Sequence, residues 1–118
     1  LALTGDRHTG KYGPDGRLFI SFRCRSPKQL ADGRPFEGDW IGWVGTWEDI
    51  ENGTDGQYSV RLKDNKKSYD CAYPGVELLP DGTFVTTTYG HWDKDEQPYI
   101  LSVRFKLEEL DAIVGEGK

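Results

Sequence analysis

Eight side chains able to do chemistry stand at the ends of short β-prone runs: Arg7, His8, Arg23, Arg25, Asp70, Tyr73, Tyr89 and His91. The planar guanidinium of arginine matches a carboxylate or a pair of hydroxyls. Histidine, with an ordinary pKa near neutrality, suits general acid–base work. A tyrosine hydroxyl, with an ordinary pKa near 10, needs a carboxylate beside it before it can attack anything at neutral pH. Asp70, three residues before Tyr73, is a candidate acid or base. Each has a plainer reading as well. Asp70 could cap a turn, Tyr73 could pack its ring at a strand start, and histidines beside glycine and tryptophan are commonly loop residues.

The elements that would carry them follow from pattern. Two β-prone runs flank Pro80-Asp81-Gly82, and Asp-Gly between such runs predicts a hairpin. Its open ends meet, so Asp70 and Tyr73 should share a rim with Tyr89, His91 and Trp92. Upstream, Arg7 to Tyr12 predicts a first strand and Gly13 to Gly16 its turn. Arg17 to Cys24 predicts a second strand, apolar on both parities and so sandwiched between layers. After a polar loop, Asp39 to Trp47 predicts a third, with Trp40, Trp43 and Trp47 expected to be packed rather than free to stack on a ligand. One helical turn within Glu48 to Gly56 and a strand over Gln57 to Leu62 follow, and Arg17 is expected to be solvated. Leu107, Leu110 and Ile113 at i, i+3 and i+6 predict a short amphipathic helix before a frayed tail.

The second half repeats the first. Pro14-Asp15-Gly16 recurs sixty-six residues later as Pro80-Asp81-Gly82, and Trp40 to Trp47 recurs sixty residues later as Ile100 to Leu107. The difference falls in the loop after the second strand, where length is free to vary. Units of about 60 residues with three or four short strands predict an all-β, β-propeller-like chain of two four-stranded antiparallel blade units, the second incomplete. Unit one covers about 7–62, unit two about 71–107 and the tail 108–118. Two hairpin units in an ordinary sandwich are the alternative. In the blade arrangement all eight residues, together with Cys24 and Cys71, converge on one rim, and the two Asp-Gly turns lie on the opposite face.

Composition excludes some classes. A net charge of −5 with no Lys/Arg cluster argues against nucleic acid. No apolar run approaches the roughly 20 residues of a membrane-spanning helix. Two Cys and two His, with no Cys-x-x-Cys pair, give no metal site and imply no cofactor. Cys24 and Cys71 are expected as unpaired buried thiols, with a bridge between them as the alternative.

Tyr73-Pro-Gly-Val-Glu-Leu-Leu-Pro-Asp-Gly82, Thr83 to Tyr89 and Pro98-Tyr-Ile-Leu-Ser-Val-Arg-Phe105 resemble the C-terminal part of the sialidase-like (BNR-repeat) β-propellers. The likeness covers most of this chain but only the last part of such a protein, which has six blades. The resemblance implies a carbohydrate-acting glycosidase fragment with Tyr73 in the nucleophile position; the shared rim adds Asp70 beside it and Arg7, His8, Arg23, Arg25, Tyr89 and His91 lining a glycan site. It implies hydrolysis only where further blades complete the site, and a secreted or periplasmic setting. Three copies would make six blades, so a homotrimer is expected in which Leu1 to Thr4 of one copy completes a neighbour's last blade; a piece of a longer protein is the alternative. A non-catalytic carbohydrate-binding or assembly module is the competing function. The chain departs from the family at the Asp-box, where Gly45 to Gly53 stands instead, and no third arginine falls in register for a carboxylate-binding triad.

Overall fold

The computed structural model describes residues 5–24, 39–63, 74–92 and 97–116. The chain is mostly β. A four-stranded antiparallel sheet of β1 (Gly5–Tyr12), β2 (Leu18–Cys24), β3 (Trp40–Gly45) and β4 (Tyr58–Lys63) is a simple meander. A three-stranded sheet follows, of β5 (Gly75–Leu78), β6 (Phe84–Gly90) and β7 (Tyr99–Phe105). Helix α1 (Trp47–Asn52) joins β3 to β4, and α2 (Leu107–Glu116) follows β7. The two sheets pack against each other and do not close into a ring. The expected fourth strand of the second unit, Leu1 to Thr4, lies outside the described residues.

The repeat seen in sequence is a repeat in hydrogen bonds. In the first hairpin Gly13 N donates to Arg17 O and Gly16 N to Gly13 O; in the second, Leu79 N donates to Thr83 O and Gly82 N to Leu79 O. Asp15 accepts from the Arg17 amide and Asp81 from the Thr83 amide, both at 3.0 Å. Each turn ends on a glycine in the left-handed region, Gly16 at φ 87° and Gly82 at φ 88°. This is a type I turn closed by a glycine bulge, which is why Pro-Asp-Gly suits both places. The helix starts correspond too: Thr46 N donates to Asp49 Oδ2 at 2.8 Å, and Lys106 N to Glu109 Oε1 at 3.0 Å.

Strand alternation then decides which faces meet. Phe19 and Val44 of the first sheet pack on Val76, Phe84 and Phe105 of the second, with Leu107 and Leu110 of α2 closing the turn end. The Phe19 ring lies 4.8 Å from Phe105 and 5.3 Å from Phe84. Leu18, Ile20, Phe22, Ile41 and Trp43 point the other way and form a separate buried cluster with Ile50. Their equivalents sixty-six or sixty residues on, among them Phe84, Thr86, Leu101 and Val103, lie on the inner face of the second sheet. The outer face of unit one therefore corresponds to the inner face of unit two. The sheets stack head to tail, not front to front.

Three expectations need correction. β3 stops at Gly45 because Thr46 caps α1 with a reciprocal capping box. Trp47 therefore starts a helix and is 52% exposed, not packed. Arg17 is not a solvated surface residue: it reaches Asp15 at 2.7 Å, Gln57 at 2.9 Å and both oxygens of Asp111 at 2.8 and 3.0 Å. Ile113 is 62% exposed, so among its described side chains α2 buries Leu107 and Leu110. It does so as a ten-residue helix running to Glu116. Trp40 and Trp43 are fully buried, as expected.

Candidate functional site

The two sheets are aligned end to end. At one end the twin turns touch: a Cβ on Gly82 would stand 3.2 Å from Pro14 Cγ. The opposite end gathers the start of β1, the end of β2, the start of β3, the end of β6 and the start of β7, through the pairings Asp6↔Arg23, Arg23↔Trp40 and Gly90↔Tyr99. This is the predicted rim. Arg23, Tyr89 and His91 all stand at it, and His8 lies one bulge into β1.

They do not share one face. His8 is exposed and its ring stacks on Phe22, 5.0 Å between centroids and 24° between planes, which places it outside the first sheet. Arg23 follows Phe22 in a regular ladder and so turns toward the second sheet, half-buried. Tyr89 alternates with the inward Thr88 and Gly90 and stands half-buried on the outer side of the second sheet. His91 is 8% exposed. Arg7 belongs to β1 at this end. Asp70, Tyr73, Arg25 and Cys71 lie outside the described residues.

The floor of the rim is a pair of indoles inclined at 33° to each other. Trp40 and Trp92 are buried with centroids 5.6 Å apart, packed by Leu62, Leu101 and Val103. Their polar edges are satisfied: Trp40 Nε1 donates to Ser21 Oγ at 2.7 Å and Trp92 Nε1 to the Tyr99 carbonyl at 3.0 Å. The Ser21 and Thr86 hydroxyls lie 3.1 Å apart across the interface, and Thr86 donates to the Gly75 carbonyl. The floor is thus both apolar and fixed in orientation, since an indole whose N–H is bonded cannot rotate freely.

Beside it lies a pair that pattern reading missed. Arg61 Nε donates to Asp39 Oδ2 at 2.9 Å, and the two side chains are only 7% and 10% exposed. Asp39 sits at the start of β3 and Arg61 on β4, and the ladder between those strands slips between Trp40 and Ile41. Sequence spacing carries no trace of that slip, so nothing in the residues announced the pair. Its geometry holds Asp39 as a carboxylate already engaged by a cation, which suits holding the rim in shape better than shuttling protons.

A cleft of about 300 Å³ opens at the other end, lined by Pro14, Asp15, Asp81, Gly82, Lys106, Leu107 and Glu108. Its aspartates are committed to the turns. The Arg17 amide holds the Asp15 carboxyl below its ordinary value, and the Thr83 amide does the same for Asp81. The cleft is the seam between the two hairpins and contains none of the predicted site residues.

Among the described residues no group of three or more His, Cys, Asp or Glu could hold a metal ion. No family model, no curated protein and no solved structure matches this chain.

Proposed function

We propose that this chain is a two-unit, propeller-like part of a glycan-acting protein, and that the rim over the Trp40–Trp92 floor contacts the sugar. The observation that carries the reading is the head-to-tail stacking of two units related by turn, strand and helix-cap hydrogen bonds, with Arg23, Tyr89 and His91 at the end away from the turns. A guanidinium and an imidazole over an aromatic base suit hydroxyl and carboxylate groups. In this reading Tyr73 is the nucleophile, Asp70 its neighbouring acid or base, and Arg7, His8 and Arg25 further contacts, with hydrolysis waiting on more units around the rim. The additional units come from a longer chain or from a ring of three copies. A three-copy ring needs a neighbour's sheet against the outer face of the first sheet, which is already buried in the single chain.

One observation favours binding without turnover as the second reading. Asp39, a carboxylate at the rim, is held by Arg61. Glycosidases ordinarily need two carboxyl groups flanking the scissile bond, or a nucleophile with its own base. Fluorogenic glycosides decide between the two. Turnover by the purified chain that is lost in Tyr73→Phe supports the enzyme, and binding on a glycan array without turnover supports the module. Neither turnover nor binding, from a folded chain, removes the glycan reading altogether. Light scattering that finds a compact monomer at working concentration removes the three-copy ring.

A further inference from the structure

Among the described residues, β7 ends its sheet at the place where the repeat supplies another strand. Its counterpart β3 is followed in the first sheet by β4, whereas the second sheet runs β5-β6-β7 and stops. The difference shows in the side chains. Ile41 and Trp43 on β3 are fully buried, while their equivalents Leu101 and Val103 on β7 are only half-buried, and Ile100 is 74% exposed. Helix α2 does not take the missing strand's place. Its buried residues Leu107 and Leu110 sit in the turn-end core with Phe19 and Val44.

We propose that the edge of β7 away from β6, which no described strand covers, accepts an extended peptide strand along Ile100 to Phe105, added antiparallel, whose alternate apolar side chains lie beside Leu101 and Val103. Two observations fix the occupant's chemistry. An edge strand presents every second N–H and C=O to its vacant side, and only another extended backbone satisfies that row in register. The side chains next to the edge form part of an apolar surface that is already built, because Leu62, Leu101 and Val103 all pack on the Trp40–Trp92 pair. An added strand with apolar residues at every second position continues that surface. The inference stands apart from the glycan reading, since it uses the repeat and the edge and none of the rim's polar groups.

The test is amide hydrogen exchange by NMR on the intact chain, alone and with a capped peptide of the sequence Gln-Tyr-Ser-Val-Arg-Leu-Lys. That sequence is residues 57–63; in the first sheet Arg61 and Ser59 stand beside Ile41 and Trp43, so on β7 the peptide sits one residue off the repeat's register to bring Leu62 and Val60 beside Leu101 and Val103. Alternate amides between Ile100 and Phe105 should slow by about tenfold or more, with the edge amides of β1, β4 and β5 unchanged. The same peptide carrying Val60→Asp and Leu62→Asp should have no effect. Three results overturn the proposal: no slowing at millimolar peptide, equal slowing at the β1, β4 or β5 edge, or slowing in β7 that rises with protein concentration alone. The last would mean that the edge pairs with a second copy of itself.

Discussion

Ser21 is a small residue with a large responsibility. It lies in the middle of the inter-sheet interface, fully buried, and its hydroxyl accepts the indole N–H of Trp40. Replacing it with alanine strands a buried donor, which costs the desolvation of that group, about 1–3 kcal/mol. Ser21→Ala should lower the urea midpoint accordingly and shift tryptophan emission. Thr87→Val, which removes a comparable hydroxyl bond to Ser102 on the exposed face, should change stability by no more than about 0.5 kcal/mol. Equal effects in the two variants would refute the assignment. At this scale the sequence was partly legible. The apolar residues on both parities of β2 correctly announced a sandwiched strand, and the buried tryptophans of β3 follow from it. The exposure of Trp47 was legible too, but only to a reader who gave Thr46 and Asp49 their weight as a capping pair. The Asp39–Arg61 contact was not, because a ladder slip in three dimensions leaves no spacing to read.

The paired hairpins make the clearest experiment on single elements. Gly16 and Gly82 share the same left-handed backbone, but an added Cβ at Gly16 meets nothing within 4 Å while one at Gly82 approaches Pro14 of the other turn. Alanine at either site carries the left-handed penalty of about 1–2 kcal/mol. Gly82→Ala should lose more thermal stability than Gly16→Ala, because it also presses the two turns apart; a larger loss at Gly16 would contradict the abutting geometry. A related constraint holds elsewhere. Gly56, at φ 76°, lies where a Cβ would stand 2.5 Å from the Trp43 ring, so the loop that closes over Trp43 and accepts its N–H at the Asp55 carbonyl requires glycine. Elements of this kind were readable from Pro-Asp-Gly and from the doubled spacing. The length of α2 was not, since its seventh residue, Ile113, points to solvent and the helix is held by contacts made outside itself.

For the molecule as a whole, the tie between units is an ionic clasp over the greasy seam. Arg17, in the first hairpin, forks onto both oxygens of Asp111 in α2, and the hydroxyl of Tyr58 on β4 donates to the same carboxylate. The Arg17 guanidinium holds the Asp111 carboxyl below its ordinary value. Burial, reinforced by the bond to Asp111, pushes the Tyr58 hydroxyl up. A carboxyl whose native pKa is depressed adds stability that is whole above its unfolded value, near 4, and is lost as pH falls through the native value. The melting temperature should therefore hold near neutrality and fall below about pH 4. Asp111→Asn should cost about 1 kcal/mol at pH 7, the clasp being partly solvated, and should shrink the acid drop. An unchanged acid limb in that variant would show that Asp15, Asp49 and Asp81, held low by amide donors, carry the effect instead.

The stacking has a grain. Val44, which faces the partner sheet, corresponds to Arg104, and Gly42 to Ser102; both successors are exposed, as Thr87 is bonded to Ser102 across the outer side of the last sheet. Like nested cups, each layer has a mouth and a base, and the uppermost mouth here carries Ser102, Arg104 and Val85 toward its turn end and keeps its larger apolar surface, in Ile100 and Tyr89, near the lip. Anything further laid into that mouth would gain most of its grip at the lip, and would come to rest tilted toward the end where Arg23 and His91 stand.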